Sequence, residues 1–163
     1  MLTKQDIFHK YLETLSNYEL LLNCNFKSRS RNGLQYLDKI TGYLGGEEGF
    51  IIDIKSETEY IDSRHEIRPV KFIGKIGEEI DVILRVTHLK KNGVEYCYRF
   101  NGSIGGLETR LEGHPVIQGK KSAVTKVEGK LGSMISIKLE GDLKTSLITQ
   151  RIYVDTFKGY LKL

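Results

Sequence analysis

A six-residue pattern that sets two glycines among apolar residues occurs four times in the chain, and it constrains the fold most. Its form is apolar-x-Gly-x-Ile/Leu-Gly, and a weaker fifth copy closes the chain. The copies are "ITGYLG" at 40–45, "FIGKIG" at 72–77, "FNGSIG" at 100–105, "VEGKLG" at 127–132 and "FKGYLK" at 157–162. Their starts lie 32, 28, 27 and 30 residues apart, which predicts an internal structural repeat.

A repeat of this length suits two β-strands and their turns. After residue 34 the chain consists of short runs rich in β-branched and aromatic residues, separated by Gly, Asn, Asp and Ser. The stretch "KKNG" at 90–93 is typical of a tight hairpin turn. Strands do not alternate with helices, so the sheet is expected to be antiparallel. We therefore expect a mostly-β fold, a meander of about eight to ten strands closed into a small β-barrel, with a β-sandwich as the alternative.

The first glycine of the pattern is expected to lie on the inner face of a strand. Side chains alternate along a strand, so Phe72, Gly74 and Ile76 point the same way. A glycine between two large apolar residues allows a sharp bend and leaves room for a bulky neighbour or a ligand. The last glycine of the pattern, such as Gly77, suits a turn or a bulge.

Residues 3–23 carry the one pattern of helical period in the chain. Thr3 and Asp6 have the spacing of a capping box. The apolar stripe is formed by Ile7, Phe8, Tyr11, Leu12, Leu15, Tyr18, Leu21 and Leu22. This helix is expected either to pack on the body of the fold or to form a lid across an open cavity. The whole chain, 1–163, is expected to be a single domain, with the barrel over 34–163.

Composition and charge narrow the possible partners. The chain has 163 residues, of which 39% are hydrophobic and 28% charged, a globular balance. Its net charge of +4 is spread widely, and the densest basic stretch, 27–33, is expected to be a solvated loop, which argues against a nucleic-acid partner. No signal-peptide core or membrane span is present, so we expect a cytoplasmic protein without a membrane partner, with Cys24 and Cys97 as free thiols.

Motifs that carry well-known chemistry are missing from the sequence. There is no P-loop, no dinucleotide-binding glycine pattern and no nucleophile elbow. None of the four histidines has a second ligand at a spacing that suggests zinc. We therefore expect neither a metal nor a cofactor.

The candidate site residues follow from strand alternation. Val94, Tyr96, Tyr98, Phe100, Gly102 and Ile104 are expected to share the inner face of one strand, and His88 that of its neighbour. On the last long strand, Arg151, Tyr153 and Asp155 share a face with Phe157; a one-residue bulge would instead turn Ile152 and Val154 inward. The candidate ligand-binding residues are therefore Tyr96, Tyr98, Phe100, His88, Arg151 and Tyr153.

This layout, one helix and a glycine-bent antiparallel barrel, resembles the calycin and allene-oxide-cyclase type of small barrel. The lipocalin Gly-x-Trp signature is absent, because the chain has no tryptophan. The resemblance implies either a lipocalin-like carrier of apolar small molecules or a cyclase whose barrel mouth is closed by an N-terminal helix.

Three functions are compatible with these patterns. The first is the binding of a small, largely apolar molecule in a barrel cavity. The alternatives are a cofactor-independent cyclase or isomerase that uses the same cavity, and a protein-interaction module of the inhibitor or immunity type. Exposed edge residues are also compatible with a homodimer.

Overall fold

The computed structural model describes residues 2–28, 35–61, 66–119, 121–147 and 151–163. Most of the basic stretch 27–33 lies outside the described residues. One helix is followed by strands. The elements are α1 (Lys4–Thr14), β1 (Glu19–Ser28), β2 (Gln35–Leu44), β3 (Phe50–Ile61), β4 (Glu66–Ile76), β5 (Ile80–Lys91), β6 (Val94–Ile104), β7 (Leu107–Gln118), β8 (Lys121–Leu131), β9 (Ile135–Gly141), β10 (Lys144–Thr145), β11 (Ile152–Tyr153) and β12 (Thr156–Lys162).

Ten of these strands form one closed antiparallel barrel. The order around it is β1-β12-β9-β8-β7-β6-β5-β4-β3-β2, and β2 pairs with β1 to close the ring. The two-residue strands β10 and β11 pair separately with each other. The predicted barrel is therefore confirmed, and the alternative of a β-sandwich is wrong. The predicted hairpin turn is also confirmed, because Asn92 and Gly93 both have positive φ between β5 and β6.

The first glycine of each repeat lies against the backbone of the preceding strand. At Gly74 on β4, an added Cβ would overlap the carbonyl oxygen of Asp53 on β3. The same overlap with a carbonyl oxygen of the preceding barrel strand occurs at Gly42, Gly102, Gly129 and Gly159. The space left by each missing side chain is thus filled by a neighbouring backbone rather than by a bulky side chain or a ligand.

The second glycine of each repeat makes a turn. In all four complete copies this residue has positive φ, and its amide donates a hydrogen bond to a backbone carbonyl of the preceding strand. The four bonds run from Gly45 to Glu19 (2.7 Å), Gly77 to Ile51 (2.7 Å), Gly105 to Asp81 (2.9 Å) and Gly132 to Glu108 (2.6 Å). The expected turn at the end of the pattern is confirmed, and all four turns lie at one end of the barrel, the helix end.

The helix is shorter than its apolar stripe predicts. Its capping box is present, with Thr3 Oγ1 accepting from the Asp6 amide at 3.1 Å and Asp6 Oδ2 accepting from the Thr3 amide at 3.0 Å. The helix ends at Thr14, however, and residues 19–28 form β1, so the prediction of a helix over 3–23 is wrong beyond residue 14. The run of leucines at 20–22 fits either period, and hydrogen bonds to both β2 and β12 favour the strand.

Helix α1 covers the helix end, and the core beneath it is solid. Phe8 is 0% exposed and Leu12 is 1% exposed. Tyr11 stacks on Phe50 of β3 with ring centroids 4.4 Å apart. Six barrel residues near this end are at most 2% exposed, namely Leu44, Ile52, Ile80, Val82, Leu131 and Ile135. The helix therefore packs on the fold and does not form a lid over open space. No helix among the described residues is long and apolar enough to cross a membrane.

The opposite end of the barrel, the far end, separates into two-stranded hairpins. Strands β4 and β5 pair only over 71–76 and 80–85, and β2 and β3 only over 39–44 and 50–55. Within the described residues the hairpins stay paired further out, up to Ser28–Gln35, Ile61–Glu66, Lys91–Val94 and Gln118–Lys121. The hairpins β1–β2, β3–β4, β5–β6 and β7–β8 also each contain one register shift. In the part of the chain that the structure describes, the barrel wall is therefore not hydrogen-bonded between neighbouring hairpins at the far end. The bulge in each hairpin changes which side chains face inward there.

Candidate functional site

The interior of the barrel toward the far end is lined by apolar side chains that are not fully buried. Eight of them face inward, pack against the core and still keep exposed surface: Leu22, Leu37, Ile40, Ile54, Val86, Phe100, Val127 and Phe157. At the helix end the inward residues are closed off from solvent. Solvent therefore reaches part of the inward surface at the far end. We call the region lined by these eight residues the distal pocket.

A buried tyrosine–glutamate pair lies on the inner side of β6, toward the far end. The Tyr98 hydroxyl donates a hydrogen bond to Glu95 Oε2 at 2.6 Å, and both residues are buried. The same hydroxyl lies 3.2 Å from Ser122 Oγ of β8. The residue paired with Tyr98 on β7 is Gly113, where an added Cβ would meet the ring of Phe100. A short bond to a carboxylate is of the strong, charge-assisted type.

His88 on β5 completes this group. Its ring packs edge-on against the Tyr98 ring with centroids 4.7 Å apart. Nε2 lies 3.3 Å from the carbonyl oxygen of Pro69. Nδ1 lies 3.7 Å from Glu95 Oε2, too far for a hydrogen bond, and has no hydrogen-bond partner although the side chain is only 8% exposed.

Arg68 on β4 places a positive charge beside the group, where β4 and β5 have diverged. Its Nε donates to Glu59 Oε1 at 2.9 Å, and its Nη1 lies 3.7 Å from Glu95 Oε1. The guanidinium is thus shared between two carboxylates. Because Glu95 is buried and Glu59 is half-exposed, the positive charge offsets part of the cost of burying the Glu95 carboxylate.

Strand alternation misplaced two residues of β6. It put Tyr96 inside and Glu95 outside, but Tyr96 is 51% exposed and Glu95 is 8% exposed. The cause is the register shift of the β5–β6 hairpin, where Leu89 pairs with Cys97 and Lys90 pairs with Glu95, so that Tyr96 has no partner. The inward positions of Tyr98 and Phe100 follow the alternation as predicted, as does that of His88 opposite Tyr98.

The last predicted strand is interrupted, and this decides which of its side chains turn inward. Strand β11 ends at Tyr153 and β12 begins at Thr156. Ile152 and Val154 are each 5% exposed, the outcome expected from the bulge alternative. The inward placement of Arg151 and Tyr153 along one continuous strand is therefore wrong.

Arg151 and Tyr153 meet instead around Phe26 of β1. The Arg151 guanidinium lies 5.1 Å from the centre of the Phe26 ring, and its Nη1 donates to Gln35 Oε1 at 2.7 Å. Tyr153 contacts the same ring edge-on, with centroids 6.1 Å apart. The six predicted site residues thus divide into two groups and one exposed tyrosine: His88, Tyr98 and Phe100 face the distal pocket, and Arg151 and Tyr153 surround Phe26.

Residues 142–147 and 151–155, which carry β10 and β11, cover part of the far end. Val154 packs beside Gly141, where an added Cβ would overlap it, and the carbonyl of Asp155 accepts a 2.8 Å hydrogen bond from the amide of Cys24. Lys144 and Asp155 form an ion pair at 2.9 Å, and the hydrogen bond from Lys144 holds the pKa of the Asp155 carboxyl below its usual value. Burial raises the pKa of the Cys24 thiol to about 12.

Two depressions open on the wall. One, of about 290 Å³, is lined by Tyr36, Thr58, Tyr60 and Ile67, where β2 and β3 are no longer paired. The other, of about 210 Å³, involves outward residues of β1, β2 and β3 such as Tyr43 and Ile51. Within the described ranges, no group of three or more His, Cys, Asp or Glu side chains could hold a metal ion.

Glu95 and Arg68 are the functional candidates that reasoning from sequence missed. Alternation alone assigned Glu95 to the outer face, and Arg68 lies next to a bulge at residue 70. The sequence carries no signal for Glu95, because residues three apart lie on opposite faces of a regular strand.

Comparison of the chain with protein-family models, with curated proteins and with solved structures gives no significant match.

Proposed function

We propose that the protein binds a small, largely apolar molecule in the distal pocket. The observation that carries the proposal is the contrast between the two halves of the interior. Inward apolar side chains are sealed at the helix end, whereas Ile54, Val86 and Phe100 keep exposed surface. A ligand that covers such surface gains about 25 cal/mol for each Å² removed from water.

The polar group beside the pocket supports the same function. Binding sites for small molecules are mainly apolar and carry a few convergent polar groups that orient the ligand. His88, Glu95 and Tyr98 form such a group at the end of an apolar lining. The unpaired stretches between β2 and β3 and between β4 and β5 supply paths for entry.

A pair of tryptophan variants on β5 tests the proposal. Val86 faces the pocket, whereas Ile83, three residues earlier, is 44% exposed on the outside. The fluorescence of N-phenyl-1-naphthylamine, an apolar dye that brightens out of water, is titrated with the wild type, with Val86→Trp and with Ile83→Trp. Because the protein contains no tryptophan, the tryptophan emission of each variant comes from the new residue alone and reports whether its indole is buried or exposed.

We expect saturable, equimolar dye binding by the wild type and by Ile83→Trp. Val86→Trp should bind at least tenfold more weakly, since its indole fills the pocket. Circular dichroism melting curves establish that both variants are folded. Absence of dye binding by the wild type would overturn the proposal, as would equal binding by the two variants.

A cofactor-independent cyclase or isomerase is the second candidate, and the buried group favours it. A histidine with a free acceptor nitrogen lies beside a tyrosine hydroxyl and a carboxylate. Such a group could take a proton from one carbon of a bound substrate and return it to another, which leaves the molecular formula unchanged. Shape and exclusion of water would supply the remainder of the rate enhancement.

Chromatography with mass spectrometry distinguishes this candidate from simple binding. The protein is incubated with a cell extract, and compounds are sought whose mass is unchanged but whose retention time shifts. A catalytic role requires that Tyr98→Phe stop the conversion while dye binding persists. If no compound is converted, the protein is a binder and this candidate falls.

A further inference from the structure

We infer that the ligand presents a hydrogen-bond donor to His88 Nδ1, and that its class is an apolar alcohol or phenol rather than an apolar carboxylic acid. This inference rests on the proposed function and concerns the polar end of the same pocket. The observations that carry it are the hydrogen-bond geometry of His88, the charge of Glu95 and the buried hydroxyl of Ser56.

The tautomer of His88 follows from its contact with Pro69. A backbone carbonyl can only accept, so Nε2, 3.3 Å from the Pro69 oxygen, carries the hydrogen. In the neutral ring Nδ1 is then an acceptor. Glu95 Oε2, which is also an acceptor, lies 3.7 Å from it.

Glu95 Oε2 already accepts a hydrogen bond from Tyr98, whereas His88 Nδ1 has no donor although its side chain is only 8% exposed. A buried acceptor without a partner loses the hydrogen bond it made to water in the unfolded chain. A hydroxyl from the ligand, placed beside Nδ1, would supply that donor. It would bond to the ring nitrogen and lie within the favourable field of the carboxylate.

Ser56 supplies a second, independent indication. Its side chain is 7% exposed, and its hydroxyl has no hydrogen-bond partner. Ser56 pairs with Phe72 across the β3–β4 ladder, on the inner face of the barrel. A hydroxyl can both donate and accept, so Ser56 can bond to a polar group of a ligand whether that group donates or accepts.

A carboxylate ligand does not fit this end of the pocket. The buried Glu95 already places a negative charge there, and like charges repel strongly where water is excluded. The guanidinium of Arg68 already lies against two carboxylates, Glu59 and Glu95, so its single positive charge does not balance a further anion.

Three naphthalene compounds of the same shape test the inference: 2-naphthol, 2-methoxynaphthalene and 2-naphthoate. The methyl ether keeps the oxygen but has no donor, and the naphthoate is an anion at neutral pH. Dissociation constants are measured for the wild type, for His88→Phe and for His9→Phe by displacement of N-phenyl-1-naphthylamine. His9→Phe makes the same change on the exposed face of α1, at the opposite end of the barrel.

We expect the wild type to bind 2-naphthol about tenfold more tightly than its methyl ether, the gain of one well-formed hydrogen bond, and to bind the naphthoate most weakly. The preference should persist in His9→Phe and fall to within about twofold in His88→Phe. If His88→Phe does not fold, the order of the three dissociation constants for the wild type still tests the inference.

The outcomes separate the two proposals. If the dye and all three compounds fail to bind, the proposed function is wrong and this inference falls with it. If the compounds bind without a preference for the naphthol, or if the naphthoate binds best, a ligand site exists but the donor inference is overturned. A preference that survives in His88→Phe would also overturn it, because another group would then recognise the hydroxyl.

Discussion

The backbone of Gly74 lies directly against the carbonyl oxygen of Asp53, so that no side chain fits at this position of β4. The arrangement recurs in the other four units, at Gly42, Gly102, Gly129 and Gly159. Close approach of paired strands at one inner position per hairpin lets each unit curve in the same sense. Each of the five copies of the repeat therefore corresponds to one pair of neighbouring strands in the closed ring.

Substitution of Gly74 should be costly for a steric reason. Gly74→Ala forces the Asp53 backbone to move, and such overpacking usually costs about 1–3 kcal/mol of the free energy of unfolding. Gly93→Ala is the matched control, because its surroundings are open and only its positive φ of 78° is strained, a cost of about 1 kcal/mol. Urea unfolding measures both. A loss at Gly74 no larger than that at Gly93 would contradict the steric argument.

The barrel could be predicted because the same glycine pattern occurs in every strand pair, and the same pattern produces the same local structure each time. The bulges were not, since a register shift such as that at Tyr96 depends on the neighbouring hairpin and leaves no periodic signal in one strand. Likewise, Leu20 and Leu22 fit a helix as well as a strand until β12 returns from the end of the chain to pair with them. The distal pocket was half predicted: Tyr98, Phe100 and His88 followed alternation, while Glu95 required the bulge.

The helix should contribute strongly to stability through Phe8. This side chain is 0% exposed and lies against Gly105 at the β6–β7 turn. Phe8→Ala leaves a cavity and should lower the free energy of unfolding by about 3–5 kcal/mol. His9→Ala, on the exposed side of the same helix, should change it by less than about 0.5 kcal/mol. Similar values for the two variants in urea unfolding would mean that α1 is not part of the cooperative core.

The Tyr98 hydroxyl should stabilise the fold by donating to Glu95. Tyr98→Phe removes the donor of a 2.6 Å bond to a buried carboxylate, and the expected loss is about 1.5–3 kcal/mol. Tyr96→Phe, two residues away and 51% exposed, is the control, with an expected change below about 0.5 kcal/mol. The double variant Tyr98→Phe/Glu95→Gln should lose less than the sum of its single variants, since the two groups interact directly. Additive losses would show that the pair does not interact.

The Cys24 thiol should be unreactive in the folded protein. Burial, with a smaller effect of the Asp155 charge, raises its pKa to about 12, so only about one molecule in ten thousand carries the thiolate at pH 8. Burial also raises the pKa of Cys97, which is 7% exposed. We expect 5,5′-dithiobis(2-nitrobenzoate) to label neither thiol rapidly at pH 8 and to label both in urea. Rapid labelling of the folded wild type, abolished by Cys24→Ser, would show that this thiol is open to solvent.

The Lys144–Asp155 ion pair should make a small contribution to stability that depends on pH. The hydrogen bond from Lys144 lowers the pKa of Asp155 from 3.8, so the contribution of Asp155 is present above pH 3.8 and is lost as the pH falls through the lowered value. The pKa of Lys144 is raised from 10.5 by the same contact, so its contribution is present below pH 10.5 and is lost as the pH rises through the raised value.

Asp155→Asn tests this window. Because the side chains are 50% and 36% exposed, solvent screens the pair, and the expected loss at pH 7 is only about 0.2–1 kcal/mol. The difference from the wild type should shrink as the pH falls below 3.8, where the wild-type carboxyl takes up its proton. Glu48→Gln, which removes an exposed carboxylate at the helix end, is the control for the loss of one negative charge. Urea unfolding between pH 2.5 and pH 8 measures all three proteins, and a difference that stays constant over this range would mean that the charge of Asp155 does not stabilise its contact with Lys144.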